Sequence, residues 1–237
     1  MPDGNYTDGD LQDYVKKMPL RPGWLECGTY AINADMDVVW NLVFSDKATL
    51  TFESVKASFE HKLDQHSKWF EPTIGSLGGR PVLAERKTVY ESKFSHMLVK
   101  PLVGMQVYHF ELQKTFLTLK AENALVVETL AMASGFKIAE KYSVRTIYEF
   151  YKPDPEVNQI ALRMSYIQEW KDGPKLWETP IKNEVDEKML KVVEEIFDRL
   201  MPEVARQASK VPPTERKKPN KQEKANKSKK KPKTASD

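Results

Sequence analysis

Residues 179–204 read TPIKNEVDEKMLKVVEEIFDRLMPEV, and their apolar positions recur every three or four residues. This spacing predicts a long amphipathic helix, because positions three and four apart lie on one side of an α-helix. Thr179 is the predicted N-cap and Pro180 the first helical residue. From Ile181 to Val204 the helix would extend about 36 Å, enough to lie across a whole sheet. The residues on its apolar side are Ile181, Val185, Met189, Val192, Ile196 and Leu200.

The chain before this helix predicts mostly strands. Six segments are rich in Val, Ile, Thr, Tyr and Phe, and turn-forming residues separate them. No insertion of helix length lies between them, which favours an antiparallel meander over parallel βαβ units. A first strand is predicted at Trp24–Ile32, followed by helices over Met36–Phe44 and about Ala48–Leu63. The six segments are residues 65–71, 82–95, 105–119, 124–132, 140–152 and 158–170.

This order of elements predicts an α+β protein of the helix-grip type, in which a curved antiparallel sheet wraps the C-terminal helix. A lipid-sized cavity is expected between sheet and helix.

The net charge of +3 combines two unlike parts, because residues 206–237 contribute +9 and the rest of the chain −6. We therefore predict a flexible leader at residues 1–20, one folded domain at 21–207 and a disordered basic tail at 208–237.

The sequence contains no pattern typical of a membrane span or of a known catalytic site. Charged residues interrupt its longest apolar stretches, Lys100 within residues 97–110 and Glu128 within 124–136. Cys27 is the only cysteine, which excludes an internal disulfide and favours a reducing compartment, the cytosol or the nucleus. The four histidines form no metal-binding motif, and residues 75–79, GSLGG, match no phosphate-binding loop. No catalytic residue, metal or cofactor is therefore predicted.

The strands before the helix carry more apolar residues than a half-solvated sheet needs. Tyr148 and Phe150 share one face of their strand, and Leu162, Met164 and Tyr166 share one face of the next. Two interpretations are open. These residues form an ordinary core beneath the helix, or they line an apolar cavity on the order of several hundred Å3 that encloses a lipid.

A set of short motifs, in a fixed order, resembles the VASt domain, which is the StART-like module of intracellular sterol-transfer proteins. The match extends over roughly Trp24 to Val204. Its motifs are DVVWNLVFSD at 37–46, Arg86 and Tyr90, Gln113-Lys114, LVVET at 125–129, LRMSYIQEW at 162–170, Trp177 and Ile181-Lys182.

The resemblance implies a StART-like fold for residues 21–207, a deep cavity and exchange of sterol between membranes without vesicles. It also implies a mobile entrance loop at residues 72–79, whose glycines suit opening and closing. Family members commonly carry a GRAM module and a transmembrane anchor. Neither is expected in this sequence, which favours a soluble shuttle or a recruited sensor. The loop residues are Pro72, Ile74, Gly75, Leu77, Gly78 and Gly79, of which Ile74 and Leu77 would insert shallowly into a bilayer.

A sterol in water exposes a few hundred Å2 of apolar surface, which costs about 10 kcal/mol at ~25 cal/mol per Å2. A closed cavity removes this cost during transit without any covalent step. A buried polar group is expected to bind the sterol hydroxyl, and no residue is assigned to it. The predicted walls are Tyr90, Phe94, Tyr108, Phe110, Val127, Tyr148, Leu162, Met164 and Tyr166 on strands and Ile181, Val185 and Met189 on the helix, with Trp177 at the mouth.

The basic tail has no aromatic residue and no apolar face. We expect it to hold the protein near an anionic membrane, at about 1 kcal/mol per basic residue close to the surface. A nuclear localisation signal, non-specific nucleic-acid binding and a purely solubilising role are the alternatives. The expected surface contacts are Arg216, Lys217, Lys218, Lys229, Lys230, Lys231 and Lys233.

The sequence thus predicts a cytoplasmic, peripherally membrane-associated protein that carries or senses a sterol or a similar lipid. The alternative is a non-enzymatic helix-grip module for protein interaction, nuclear through its tail, whose hollow is filled by its own side chains.

Overall fold

The computed structural model describes residues 20–48, 50, 53–54, 62–93, 108–134, 141–154, 156–171 and 175–210. Within these ranges the side chains of residues 62–64, 91–93, 108–112, 133–134, 175–177 and 208–210 lie outside the description. The helices are α1 (Met36–Val43) and α2 (Lys175–Lys210). The strands are β1 (Leu25–Ile32), β2 (Lys62–His66), β3 (Ser76–Leu77), β4 (Arg80–Pro81), β5 (Ala84–Lys93), β6 (Tyr108–Ala121), β7 (Ala124–Ser134), β8 (Tyr142–Tyr151) and β9 (Ile160–Trp170).

Seven of these strands form one antiparallel sheet in the order β1-β9-β8-β7-β6-β5-β2. Strands β5 to β9 follow one another both along the chain and across the sheet. The predicted antiparallel meander and the α+β class are therefore confirmed. The first strand, β1, pairs with the last, β9, and β2 pairs with β5 at the opposite edge.

Side chains alternate along each strand, so the large sheet has two faces. We call inner the face that packs with α2. It carries Val127, Tyr148 and Met164, which lie opposite one another on β7, β8 and β9. The outer face carries the residues between them, among which Glu128 and Glu149 are buried.

The predicted apolar side of α2 is confirmed, because all six of its residues are buried in one cluster with the inner face. Helix α1 adds Val39 and Val43 to this cluster. Phe44, directly after α1, meets the rings of Tyr148 and Phe150 edge-on, at centroid distances of 5.5 and 5.8 Å. The interior is thus packed from two helices and one sheet face.

Helix α2 begins at Lys175, before the predicted start at Ile181, so Pro180 lies inside the helix instead of at its first position. Proline is harmless in the first turn because the N–H groups there have no partner within the helix. Pro180 lies beyond that turn and removes one hydrogen bond, to the carbonyl of Leu176. Burial of Ile181 and Val185 against the sheet stabilises the helix on the other side of the proline.

The predicted second helix, about Ala48–Leu63, is wrong at its end. Residues 50, 53 and 54 are helical, but Leu63 lies in β2 and pairs with Tyr90 of β5. Pairing with the edge of β5 gives hydrogen bonds to the backbone N–H and C=O groups of both strands. This gain outweighs the helical periodicity of the segment around Leu63. Residues 55–61 lie outside the described ranges.

Strands β3 and β4 form a small hairpin within and just after the predicted entrance loop. Its turn is Gly78-Gly79, and both residues have positive φ, 55° and 79°. Two central residues with positive φ are typical of a type I′ turn, which glycine adopts without a steric cost.

Among the described residues, no helix is long and apolar enough to cross a membrane.

Candidate functional site

Nine of the predicted wall residues come together between the inner face and α2. All nine are buried, with exposed fractions between 0% and 9%. Phe94 lies outside the described residues, and so do the side chains of Tyr108, Phe110 and Trp177. The nine residues are Tyr90, Val127, Tyr148, Leu162, Met164, Tyr166, Ile181, Val185 and Met189.

These nine side chains contact other protein atoms over nearly all of their surface. A lipid-sized cavity would leave its lining residues facing open space, whereas Val127 is 0% exposed and Leu162 and Ile181 are each 2% exposed. The interior at these positions is therefore filled by protein. A ligand can enter here only if a covering element moves.

A row of polar residues crosses the inner face beside this apolar cluster. Each member lies opposite the next on neighbouring strands from β5 to β9. All five are buried, with exposed fractions of 1% to 4%. The sequence contains the threonines at alternate strand positions, but only the strand register places them in one line. In order across the sheet the row is Arg86, Thr115, Thr129, Thr146 and Tyr166.

Thr88 lies next to this row, between Arg86 and Tyr90 on the inner side of β5. It is fully buried, and its hydroxyl has no hydrogen-bond partner among the described residues. Opposite it on β6 is Gln113, whose side-chain oxygen accepts a 2.8 Å hydrogen bond from the hydroxyl of Tyr90. A buried hydroxyl without a partner costs about 1–3 kcal/mol, so Thr88 is an unfavourable residue for a core that only has to be stable.

Arg86 places a positive charge inside the protein. Its guanidinium donates to the carbonyls of Phe44 and Ser45 at 3.1 and 3.3 Å and stacks 4.8 Å from the ring of Trp69. Burial lowers the pKa of Arg86 to about 10, although the nearby Asp46 favours the charged form. The side chain therefore stays charged at neutral pH, and the polar contacts around it partly offset the cost of its burial.

His66 of β2 pairs with Thr88 of β5, and the charge of Arg86 is close enough to affect its imidazole. Burial and the positive charge of Arg86 lower the pKa of His66 below its usual value. The imidazole is therefore mostly neutral at pH 7.

Asp186 of α2 links the helix to the sheet by hydrogen bonds at the Tyr166 end of the polar row. It accepts hydrogen bonds from the hydroxyl of Tyr166 and, at 2.6 Å, from the amide of Gln168. Gln168 in turn accepts a 2.7 Å hydrogen bond from Tyr142. Burial and Asp186 raise the pKa of Tyr166, so its phenol keeps its proton.

The predicted entrance loop lies on the outer face, away from α2. Thr73 donates two hydrogen bonds to Glu85, at 2.9 Å from its amide and 2.5 Å from its hydroxyl. Arg80 lies 3.5 Å from Glu149, and a side chain at Gly78 would come within 3.1 Å of Arg21. This position differs from that expected of an entrance to the interior beneath α2. The remaining loop residues, Pro72, Ile74, Gly75, Leu77 and Gly79, belong to the same outer-face segment.

The hydrogen bonds from Thr73 give a pH-dependent prediction. Burial alone would raise the pKa of Glu85, but those bonds and the charges of Lys114 and Lys87 outweigh it and lower the pKa. Replacing Thr73 by valine should therefore lower the free energy of unfolding by about 1–3 kcal/mol at pH 7. A lowered folded-state pKa adds stability above the ordinary glutamate pKa, and that stability is lost as the pH falls through the folded value. The deficit should shrink between about pH 5 and pH 3.

Urea unfolding of the wild type and of T73V across this pH range measures that difference. Thr29→Val is the matched control, because the hydroxyl of Thr29 donates to Glu26 on an exposed surface. Its effect should be small at every pH. A T73V deficit that is the same at pH 7 and at about pH 3 would contradict the role given to the charge of Glu85.

The described residues offer little for covalent or metal chemistry. They contain no group of three His, Cys, Asp or Glu side chains placed to hold a metal ion. Burial raises the pKa of the Cys27 thiol to about 12, so it is protonated at neutral pH and a poor nucleophile. The predicted surface contacts of the tail, from Arg216 to Lys233, lie outside the described residues.

Sequence comparison finds no match, either to a protein-family model or to a curated protein. The chain is similar in structure to TTHA0849 from Thermus thermophilus, with 13% identity, a TM-score of 0.41 and coverage of 78% of this chain and 99% of the other. It is also similar to the ZhuI aromatase/cyclase from Streptomyces sp. R1128, with 11% identity, a TM-score of 0.41 and coverage of 78% and 94%. These likenesses are too low to assign the chain to a family.

Proposed function

We propose that the protein binds a sterol or a similar amphipathic lipid between the inner face and α2 and exchanges it with membranes. The observation that supports this most is the polar row with Thr88, buried within an otherwise apolar interior. Burying polar groups costs free energy, and a core that only had to be stable would be better filled by apolar residues. An amphipathic ligand accounts for both parts, its apolar body beside Val127 and Leu162 and its polar end at the row.

The fold supports the same proposal. A seven-stranded antiparallel sheet packed on one long C-terminal helix is the arrangement expected of a helix-grip, StART-like domain. The motifs that resemble the VASt domain are also distributed along the elements that build the interior. Leu125–Thr129 lie in β7 and Leu162–Trp170 in β9, and both strands contribute inner-face residues to the core. No covalent step is part of the proposal.

Exchange requires an open state, because the described interior is filled. A ligand that binds only the open state shifts the population toward it in proportion to its affinity. The hydrophobic cost of a free sterol, about 10 kcal/mol, is large enough to drive such a shift. Asp186 joins α2 to the sheet through hydrogen bonds to Tyr166 and Gln168, and these break at a lower cost than buried apolar packing.

The test uses the full chain purified without detergent. Mass spectrometry of lipids that co-purify, followed by titration with a fluorescent sterol and with labelled phospholipids, should give saturable binding of the sterol. Transfer between donor and acceptor liposomes should follow binding. Saturation by neither class of lipid, together with no transfer, would contradict the proposal.

A second candidate function is a protein-interaction module whose interior is filled by its own side chains. The low exposure of the nine wall residues favours it. In that case no lipid co-purifies, and added sterol leaves the midpoint of thermal unfolding unchanged. A stabilising shift on addition of sterol would instead support the carrier, because a ligand that binds only the native state raises its stability.

We further propose that the basic tail holds the protein at an anionic membrane in the cytoplasm, with the nucleus as the alternative location. The net charge of +9 in residues 206–237, of which residues 211–237 carry +7, supports attraction to anionic lipid. Co-sedimentation with anionic liposomes should fall on removal of residues 211–237 and at high salt. Equal co-sedimentation of both forms at low salt would contradict the membrane role of the tail.

A further inference from the structure

We propose that the polar end of the ligand is an uncharged headgroup with several hydroxyl groups, such as a sugar, bound at a patch on the inner face of β5, β6 and β7. This inference rests on the proposed lipid binding and makes it more specific, because it names the class of lipid. The patch combines part of the polar row with the residues next to it on the same strands. Its residues are Arg86 and Thr88 of β5, Gln113 and Thr115 of β6, and Thr129 and Ala131 of β7.

The patch is too large for a single hydroxyl group. Its residues form two parallel rows, because Arg86, Thr115 and Thr129 lie opposite one another and the other three residues do so as well. Three neighbouring strands are about 10 Å wide, and two residues along a strand extend about 7 Å. One hydroxyl group reaches only part of such an area, whereas a sugar ring with its hydroxyl groups extends over most of it.

The second of these rows leaves room above the sheet. Gln113 and Ala131 are partly exposed, and so is Val144, the next residue of the same line on β8. The threonines of the polar row, in contrast, are 2–4% exposed. A headgroup can therefore lie over Gln113 and Ala131 while the apolar body of the lipid lies beside Val127, on the other side of the polar row.

The side chains of the patch suit hydroxyl groups. The hydroxyl of Thr88 is fully buried and has no hydrogen-bond partner in the part of the chain that the structure describes. The amide of Gln113 can donate, while its oxygen accepts from Tyr90. A threonine hydroxyl both donates and accepts, as each hydroxyl of a sugar does. A sugar hydroxyl beside Thr88 would remove the cost of burying it without a partner.

An uncharged headgroup matches the electrostatics of the patch. Arg86 is its charged residue, and it already has acceptors, among them the carbonyls of Phe44 and Ser45. It also stacks on the ring of Trp69. The other five side chains of the patch are neutral. A negative charge on the ligand is therefore not needed to balance the site, and removing that charge from water would cost binding free energy.

The test compares lipids that share one apolar body. Cholesterol is compared with cholesteryl glucoside and with cholesterol sulfate, and dioleoylglycerol with its monogalactosyl derivative. Binding to the full chain is measured by displacement of a fluorescent sterol. We expect each glycosylated lipid to bind at least about tenfold tighter than the lipid without the sugar, because several hydrogen bonds are added. The sulfate should bind more weakly than the glucoside, and glucose alone should bind weakly because it has no apolar body to bury.

Two variants assign the preference to the patch. Thr88→Val should reduce the preference for the glucoside over cholesterol about 3- to 10-fold. It should not lower the stability of the unliganded protein, because the hydroxyl of Thr88 has no hydrogen bond to lose within the described residues. Ala131→Leu should remove the preference and leave the affinity for cholesterol nearly unchanged, because the larger side chain occupies the room for the sugar.

Each variant has a matched control outside the patch. Thr118→Val changes a buried threonine of β6 that lies five residues from Gln113, about 17 Å along the strand. Its hydroxyl donates to the carbonyl of Val126, so this variant should lower the stability of the protein. Ala121→Leu adds the same volume as Ala131→Leu at the exposed end of β6. Both controls should leave the preference for the sugar within about twofold.

The outcomes separate the two proposals. Equal affinity for the lipids with and without the sugar, tighter binding of the sulfate than of the glucoside, or a preference that T88V and A131L both leave intact would overturn this inference while lipid binding stands. Binding of no lipid at all would overturn the proposed function itself. Should A131L fail to fold, the lipid pairs with the wild type, T88V and T118V still decide.

Discussion

Replacing Arg163 by methionine should lower the free energy of unfolding by about 3–5 kcal/mol, the cost typical of breaking a buried ion pair from one side. On the outer face of β8 and β9, the guanidinium of Arg163 holds one carboxylate oxygen of Glu149 through two hydrogen bonds of 2.9 and 2.6 Å. Both side chains are 5% exposed. Without Arg163, the partners left to the buried carboxylate among the described residues are Arg80 at 3.5 Å and the hydroxyl of Tyr151 at 3.2 Å.

Chemical denaturation of two further variants tests this explanation. Arg199→Met removes an exposed ion pair with Glu195 and should cost no more than about 1 kcal/mol. The double variant Glu149→Leu/Arg163→Met removes both charges and should be clearly more stable than Arg163→Met alone, because no buried carboxylate is left behind. A cost below about 1 kcal/mol for Arg163→Met, or a double variant less stable than it, would contradict the prediction.

The outer face contains buried carboxylates, so not all of the acidic residues in the sequence contribute to the charge of the surface. Glu85, Glu128 and Glu149 are all buried there, and residues that cover the sheet hold each of them. Thr73 binds Glu85, Arg21 binds Glu128 at 2.9 Å and Arg80 lies beside Glu149. Part of the charge of −6 in residues 1–205 is therefore internal. That charge describes the surface poorly, and it says little about which partners the surface would attract.

Periodicity predicted the parts of the fold that depend on one segment at a time. The spacing from Ile181 to Leu200 predicted the apolar side of α2, and alternation on β8 and β9 predicted that Tyr148 and Met164 face it. These predictions succeed because burial of one side of a helix or strand leaves a repeating pattern in the sequence. The capping pattern, in contrast, placed the start of α2 wrongly, because Thr179-Pro180 resembles an N-cap followed by a first helical residue.

The candidate site depended on register between strands, which the sequence does not contain. Thr115, Thr129 and Thr146 are ordinary strand residues when each is taken alone, and only the pairing of β6, β7 and β8 aligns them with Arg86. Thr88 stands out only once its burial is known. Residues 72–79 were assigned to the entrance by resemblance, and the contacts of this segment with the outer face are tertiary interactions that no local pattern encodes.

Replacing Leu162 by alanine should lower the free energy of unfolding by about 2–5 kcal/mol, as is typical of a leucine removed from a packed core. Leu162 is 2% exposed and lies on the inner face between Phe150 of β8 and Tyr30 of β1. The loss combines the transfer of apolar atoms with the cavity that remains. Were Leu162 instead to face an open lipid cavity, few of its contacts would be lost and the change would stay below about 1 kcal/mol.

Leu190→Ala is the matched control, because Leu190 lies on α2 with 48% of its surface exposed and should cost less than about 1 kcal/mol. Unfolding in urea, with and without a saturating sterol, then separates the two candidate functions. If the interior opens to admit a ligand, the sterol should return part of the stability lost in L162A by occupying the new space. A sterol that changes the free energy of unfolding of neither L162A nor the wild type would favour the filled interaction module. A loss no larger than that of L190A would contradict the packed interior itself.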